Sequence, residues 1–184
     1  MKVLLIGGGG REHALLWKLN QSPSVTELYC CPGNAGTASI AENLPLSLSH
    51  IPALALWAVE HGIDLCVVGP EAPLAEGLVD VFRGHGLRVF GPTREAAKIE
   101  SSKAFSKELM LKAGVATPKG EVFDDIKKAK DYGCAGPFPL VVKADGLAAG
   151  KGVVIAHNAD EFLRTVEDFM LGGRHGEAGK RVVV

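Results

Sequence analysis

The first nineteen residues read MKVLLIGGGGREHALLWKL (1–19), and this stretch decides the fold. Residues 3–6 are a short apolar run, residues 7–10 are four glycines, and the apolar residues after them recur at helical spacing up to Leu19. An apolar run, a glycine turn and an amphipathic segment predict a strand, a tight loop and a helix. A strand that leads directly into a helix is the opening unit of an α/β domain.

The same alternation continues to about residue 90. Further strands are predicted at 28–31, 65–68 and 87–90, and helices at 54–59 and 74–82. Glycine or proline follows these segments, as expected of the turns between them. Alternating strands and helices predict a parallel sheet that is covered on both faces.

The pattern changes after Gly91, where we predict a domain boundary. Two successive helices are predicted next, at 96–99 and 105–113. The later predictions are, in chain order, strand 121–123, helix 126–132, strands 140–143 and 153–156, a helix capped by Asn158 and Glu161, and strand 181–184. Because the last strand has no turn after it and would leave an unpaired edge, we expect the chain to be truncated.

Composition argues against several classes of function. The formal net charge is −1, and Lys127, Lys128 and Lys130 have the spacing of a solvated helix face, so nucleic acid is not implied. The four cysteines lack C-x-x-C spacing, which favours reduced thiols over a zinc site or disulfides. No apolar run approaches the ~18 residues that span a membrane. We therefore expect a soluble, cytoplasmic protein.

The glycine loop at 7–10 is a candidate anion site, because it joins a strand to a helix N-terminus. NAD is disfavoured, since the third glycine of G-x-G-x-x-G would fall on Glu12 or His13 and strand 28–31 ends without an acid for a ribose. Arg11 opposes the helix dipole in the first turn, which a nearby phosphate would explain. The alternative is a tight turn with a solvated arginine.

Two more loops follow strands of the same sheet, at 32–36 and 69–73. Because the carboxyl ends of parallel strands meet at one edge, these loops should converge on the glycine loop. Glu71 could accept hydrogen bonds from sugar hydroxyls, and Asn34 could contact the same ligand. Alternatively, both side chains only shape their turns.

Residues 143–152, KADGLAAGKG, form a second glycine-rich loop between two strands. They do not form a Walker loop, because Gly146 and Gly150 enclose three residues instead of four, Gly152 replaces Ser or Thr, and a strand follows. Such a hairpin can fold over phosphates while Lys143 and Lys151 neutralise charge. The alternative is an ordinary flexible hairpin.

These segments together resemble the glycinamide ribonucleotide synthetase family of the ATP-grasp superfamily. The resemblance covers nearly the whole chain, and the matching motifs lie at 9–14, 32–37, 69–74, 90–93, 102–105 and 143–152. One departure is Gly8, where the family usually carries Asn or Ser, so a side-chain hydrogen bond of the family is missing there.

The resemblance implies a Rossmann-like pre-ATP-grasp domain at 1–100, a linking helix at 101–118 and an incomplete, flap-bearing first part of an ATP-grasp domain at 119–184. It implies that ATP converts glycine to an acyl phosphate, from which phosphoribosylamine forms glycinamide ribonucleotide. No nucleophile is expected, because phosphoryl transfer depends on positioning and charge stabilisation. Magnesium ligands are expected only beyond Val184, so the chain alone is expected to be inactive.

The resemblance also assigns site residues. Lys143 is the expected catalytic residue. The residues expected to bind phosphoribosylamine are Gly8, Gly9, Gly10, Arg11, Gly33, Asn34, Pro70 and Glu71. The residues expected to bind ATP are Lys103, Lys143, Asp145, Gly146, Leu147, Ala148, Ala149, Gly150, Lys151 and Gly152. Two alternatives stay open, namely a non-catalytic nucleotide-binding module and another ATP-grasp ligase that uses a different carboxylate.

Overall fold

The chain consists of two compact units, residues Met1–Ala97 (unit 1) and Lys98–Val184 (unit 2). A computed structural model describes residues 1–148, 150–173 and 175–184, without the side chain of Glu177. The sheets of the two units are separate, and each unit has its own apolar core. No helix in the described ranges is long and apolar enough to cross a membrane.

Unit 1 contains the predicted parallel sheet. Its strands are β1 (Lys2–Gly7), β2 (Glu27–Pro32), β3 (Glu42–Asn43), β4 (Leu65–Val68) and β5 (Val89–Phe90). They lie in the order β3-β2-β1-β4-β5, and every neighbouring pair is parallel. The central strand β1 is apolar on both faces, which explains its continuous apolar run. The two-residue β3 was not predicted, because its residues are polar.

Unit 1 has five α-helices among the described residues, and they differ from the prediction at one place. They are α1 (Gly10–Leu19), α2 (Ile51–Glu60), α3 (Glu71–Ala75), α4 (Leu78–Gly84) and α5 (Arg94–Ser101), the last of which continues past the unit boundary. The single helix predicted at 74–82 is wrong, since the chain forms two helices there. Gly77 separates them with φ 91°, a left-handed conformation that glycine adopts readily.

Unit 2 contains an antiparallel sheet, and two of its helices contribute side chains to the apolar core. The strands are β6 (Val122–Phe123), β7 (Leu140–Ala144), β8 (Val153–Ala156) and β9 (Val182–Val183), in the order β6-β9-β7-β8. The helices are α6 (Lys103–Lys112) and, with side chains in the core, α7 (Ile126–Ala135) and α8 (Ala159–Met170). The core joins residues of α8, such as Phe162 and Val166, to Val142 and Ala144 of β7.

One further prediction is corrected in unit 2. Most of the predicted linking helix at 101–118 is α6, and its role as a link between domains stays a prediction. The prediction of an unpaired edge at the final strand is wrong, because β9 pairs with β6 on one side and β7 on the other. The predicted cap of α8 is present, since Asn158 Oδ1 accepts a hydrogen bond from the Glu161 N–H at 2.9 Å.

Candidate functional site

The glycine loop of unit 1 connects β1 to α1, and the side chain of Glu12 holds it by a hydrogen bond. This carboxylate is 4% exposed and accepts a hydrogen bond from the Gly9 N–H at 2.6 Å. The N–H groups of Gly8 and Gly10 donate to no partner among the residues that the structure describes. The loop therefore presents free donors at a helix N-terminus, which suits an anion. Sequence reasoning missed Glu12, although an acid three residues after a helix cap is a known signal.

Asn34 joins the second loop to the glycine loop. Its amide nitrogen donates to the Gly8 carbonyl at 2.9 Å, while its Oδ1 accepts from the N–H groups of Gly36 and Thr37 at 2.7 and 3.0 Å. Buried Thr37 and nearby Asn43 complete this network, and sequence reasoning missed both. Because the side chain already has these partners, Asn34 shapes the loop in this structure, and its predicted contact with a sugar stays a prediction.

Gly8 lies against the second loop, at the point where the chain departs from the family pattern. A Cβ atom at this position would lie 2.6 Å from the carbonyl oxygen of Gly33, which is closer than real Cβ atoms come. Gly33 itself has φ 73° and faces the side chain of Asn43. The two loops therefore approach as closely as they do because both positions are glycine.

The third loop meets the glycine loop through Arg11. Its Nη1 donates to the carbonyl of Gly69 at 2.9 Å and lies 3.6 Å from Glu71 Oε2. The convergence of all three loops is thus confirmed, with Pro70 just ahead of Glu71 at the start of α3. Arg11 has partners within the chain, so its position does not by itself require a bound phosphate. Its side chain is still 66% exposed and has donors to spare.

The glycine-rich loop of unit 2 is a hairpin between β7 and β8. The Ala144 N–H donates to the Gly152 carbonyl at 2.9 Å, and the Lys151 N–H donates to the Ala148 carbonyl at 2.8 Å. Within the described ranges, the N–H groups of 146–148 have no acceptor, and Ala149 lies outside those ranges. The hairpin can therefore offer N–H groups to phosphate oxygens. We call residues 145–152 the flap.

Lys143 lies on the sheet face opposite the core of unit 2. Its neighbours Val142 and Ala144 belong to the core, so strand alternation directs Lys143 to the other face. On that face it pairs with Val153, which is 46% exposed, and beside them lies Ile155, which is 55% exposed. The ammonium makes no hydrogen bond or ion pair with any residue that the structure describes. A free cation beside open apolar surface suits a ligand with a flat ring and phosphates.

Lys103 reaches the flap from the first turn of α6. Its ammonium donates to the carbonyl of Gly146 at 2.8 Å. Ser102 caps the helix by accepting a hydrogen bond from the Phe105 N–H at 3.1 Å. The structure therefore brings Lys103 to the base of the hairpin that Lys143 precedes, although the two lysines are far apart in sequence.

The carboxylate of Asp145 faces α6. It accepts a hydrogen bond from the Ala104 N–H at 3.0 Å and is paired with Arg181. Burial raises the pKa of Asp145, but the Ala104 N–H, Arg181 and Ser102 outweigh burial and hold the pKa below its usual value. Its side chain already has partners in the chain, so the predicted contact of this carboxylate with ATP stays a prediction. Sequence reasoning assigned no role to Arg181 or to Ser102, although Ser102 lies in the matching motif at 102–105.

The described residues include no metal cluster, and three of the four cysteines are buried thiols. No group of three or more His, Cys, Asp or Glu residues could hold a metal ion there. Cys30, Cys31 and Cys66 are buried and free. Burial raises the pKa of the Cys66 thiol to about 12, which disfavours the thiolate form that a nucleophile needs.

Comparisons with known proteins agree with this architecture. Residues 1–100 match the N domain of phosphoribosylglycinamide synthetase, and residues 101–184 match its ATP-grasp (A) domain. A phosphoribosylamine–glycine ligase from Escherichia coli is 47% identical over 186 residues, which cover 100% of this chain and 43% of that protein.

Two solved structures are also similar. The crystal structure of phosphoribosylamine–glycine ligase from Thermotoga maritima matches with a TM-score of 0.81 and 31% identity, covering 100% of this chain and 43% of that one. The biotin carboxylase domain of 2-oxoglutarate carboxylase from Hydrogenobacter thermophilus matches with a TM-score of 0.78 and 21% identity, covering 99% and 43%. This second likeness concerns the fold alone.

The chain has a Rossmann-like parallel-sheet domain followed by the start of an ATP-grasp domain, as the sequence predicted. This combination places it in the ATP-grasp class of proteins. Within this class, the chain belongs to the phosphoribosylglycinamide synthetase family. It spans 43% of the length of the Escherichia coli relative.

Proposed function

We propose that this chain forms the phosphoribosylamine-binding domain and the nucleotide flap of an enzyme that joins glycine to phosphoribosylamine with ATP. The observation that carries this proposal is the tandem match of 1–100 and 101–184 to two domains of one synthetase family. The geometry is consistent with it, since each unit has a glycine-rich loop with free N–H groups and nearby positive charge.

The sugar phosphate would bind to unit 1. The free N–H groups of Gly8 and Gly10, together with the spare donors of Arg11, suit a phosphate group at the start of α1. The half-exposed carboxylate of Glu71 could accept hydrogen bonds from ribose hydroxyls. Asn34 would act by holding the glycine loop in shape through the Gly8 carbonyl.

The nucleotide would bind to unit 2. The free N–H groups of 146–148 suit the phosphate oxygens of ATP, and Lys143, Lys103 and Lys151 would neutralise their charge. The exposed side chains of Val153 and Ile155 offer apolar contact for the adenine ring.

The reaction needs charge stabilisation more than a protein nucleophile. The γ-phosphoryl group of ATP passes to the carboxylate of glycine, which gives an acyl phosphate and ADP. The amine of phosphoribosylamine then attacks the acyl carbon, phosphate leaves, and the amide of glycinamide ribonucleotide forms. Lys143 and Lys103 would stabilise negative charge during the first transfer, which is the main demand of phosphoryl-transfer chemistry.

Magnesium is expected with ATP, and its ligands are expected beyond Val184. The described residues include no cluster of metal-ligating side chains, and the carboxylate of the flap residue Asp145 already has partners in the chain. No step is therefore assigned to a metal here. A cytoplasmic location also remains a prediction, supported by the four free cysteines.

The decisive experiment uses Lys143→Ala in the full-length protein that contains this sequence. We expect turnover to fall about a hundredfold, which corresponds to about 3 kcal/mol of lost transition-state stabilisation. Glycine-dependent phosphate release and formation of glycinamide ribonucleotide are the measurements. Lys127→Ala removes an exposed lysine from α7 and serves as the matched control, for which we expect wild-type turnover.

The outcomes separate the remaining alternatives. A loss of less than tenfold in the Lys143 variant would refute the role of this lysine. ATP binding without glycine-dependent phosphate release in the wild type would indicate a non-catalytic module. Phosphate release with another carboxylate in place of glycine would indicate a different ATP-grasp ligase.

A further inference from the structure

The carboxylate of Asp145, at the base of the flap, has donors from three residues of the chain. Its Oδ1 accepts hydrogen bonds from Ser102 Oγ and the Ala104 N–H, both at 3.0 Å. Its Oδ2 accepts from Arg181 Nε at 2.6 Å and forms an ion pair with Arg181 Nη2. A carboxylate has about four acceptor positions, so these four donors leave none free for a ligand. The side chain is 5% exposed.

These contacts tie together three segments that are distant in sequence. Ser102 and Ala104 flank Lys103 in the first turn of α6, so holding them fixes the backbone of Lys103 on both sides. Arg181 precedes β9, and its carbonyl accepts a hydrogen bond from the Asp145 N–H at 2.9 Å. We call Ser102, Ala104, Asp145 and Arg181 the Asp145 cluster.

The Asp145 cluster also fixes the geometry between the two candidate nucleotide lysines. Lys143 lies two residues before Asp145 on β7, and Lys103 donates to the carbonyl of Gly146, the residue after Asp145. An ammonium has three donors, so Lys103 can keep this carbonyl and still bind a phosphate oxygen. Releasing α6 from Asp145 would therefore move Lys103 relative to both Lys143 and the flap.

We propose that Asp145 is a positioning residue that holds Lys103 and the base of the flap in register for the phosphates of ATP, without contacting the nucleotide or a metal itself. The inference rests on the proposed function, which assigns ATP to unit 2. Its direct support is that every acceptor position of the carboxylate is used by the chain. Its negative charge also lies at the N-terminus of α6, where it is stabilised by the helix dipole.

The test is Asp145→Asn in the full-length protein. Asparagine has the same size and can still accept the Ala104 N–H, but it loses the charge that pairs with Arg181. Because small displacements of positioning groups have large kinetic effects, we expect the KM for ATP to rise about tenfold. The KM for phosphoribosylamine should change by less than about twofold, since that substrate is assigned to residues of unit 1, none of which contacts Asp145 in the described ranges.

Two further variants make the result specific. Arg181→Gln breaks the same ion pair from the Arg181 side, whose side chain is 45% exposed. Because both substitutions remove one shared interaction, the KM for ATP of the double variant should be no higher than that of the more impaired single variant. Asp125→Asn is the matched control, since Asp125 also caps a helix of unit 2 and accepts the Lys128 N–H at 3.0 Å. We expect wild-type KM values for this control.

Each outcome bears on the proposal. A lower melting temperature with an unchanged KM for ATP would show a purely structural role and overturn the inference. If Asp145→Asn does not fold, the KM for ATP in Arg181→Gln decides. If the wild type binds ATP but shows no glycine-dependent phosphate release, the proposed function fails, and the inference is then judged by the Kd for ATP. Equal Kd values in wild type and variants would overturn it.

Discussion

Two buried carboxylates support the two candidate loops. Glu12 holds Gly9 of the glycine loop, and Asp145 holds the first turn of α6 at the base of the flap. Both accept backbone N–H groups, so their charge is used within the protein. Polar residues within or next to a candidate binding loop can therefore hold the loop in place instead of contacting a ligand, which is why sequence motifs alone assign such residues poorly.

The charge of Asp145 should make the stability of unit 2 depend on pH. Its pKa is lower in the folded protein than the unfolded value of about 3.9, so its contribution is complete above that value and is lost as pH falls through the folded pKa. We expect the difference in urea midpoint between wild type and Asp145→Asn to be constant from about pH 7 to 5 and to shrink below about pH 4. Circular dichroism at each pH measures it.

A second variant tests the cause of that pH dependence. Arg181→Gln removes the charged partner but keeps the Ala104 N–H and the Ser102 hydroxyl, so the dependence should be weaker and still present. A difference between wild type and Asp145→Asn that stays constant down to pH 2 would contradict the expectation.

At the scale of secondary-structure elements, glycines have different roles that sequence spacing does not distinguish. Gly77 ends a helix through its left-handed conformation, whereas Gly133 lies within α7 because Phe162 packs against it. A Cβ atom at Gly133 would come within 2.1 Å of the Phe162 ring. The missing side chain is therefore what lets α7 and α8 approach each other in the core of unit 2.

We expect Gly133→Ala to destabilise unit 2 by about 2 kcal/mol. Alanine favours a helix over glycine by about 1 kcal/mol, but overpacking against fully buried Phe162 costs more than this gain. Urea unfolding measures the change. The matched control is Gly84→Ala at the end of α4, where nothing lies within 4 Å of the added Cβ and stability should rise slightly. An increase for Gly133→Ala would show that Phe162 moves aside without cost.

At the scale of the whole molecule, each of the two units has its own core and its own glycine-rich candidate loop. The glycine loop, Arg11 and Glu71 belong to unit 1, and the flap, Lys103 and Lys143 belong to unit 2. This division agrees with the separate family matches to 1–100 and 101–184. Each ligand should therefore protect its own set of backbone amides.

Hydrogen exchange of the full-length protein tests that expectation. A non-hydrolysable ATP analogue should slow exchange at 102–105 and 143–152, because the flap would then be covered. Ribose 5-phosphate, a stable stand-in for the sugar phosphate, should slow exchange at 8–11 and 33–34 instead. Residues 126–135 of α7 serve as the internal control and should not change. Protection of the flap by ribose 5-phosphate alone would contradict the assignment of sites to units.

Much of the fold could be predicted from the sequence, because strand and helix periodicity and glycine turns are local properties of the chain. The parallel sheet of unit 1 and the hairpin at 143–152 are confirmed on that basis. The break at Gly77 and the polar strand β3 could not be predicted, since neither changes the local apolar pattern.

The sequence by itself determined the order of elements, the two glycine-rich loops and the family to which the chain belongs. Only the tertiary structure decided which partners Asn34, Asp145 and Arg181 have. Asp145 lies 36 residues from Arg181 and 43 from Ser102, whereas periodicity relates only near neighbours along the chain. Such contacts depend on which elements pack together, and packing is a property of the folded molecule.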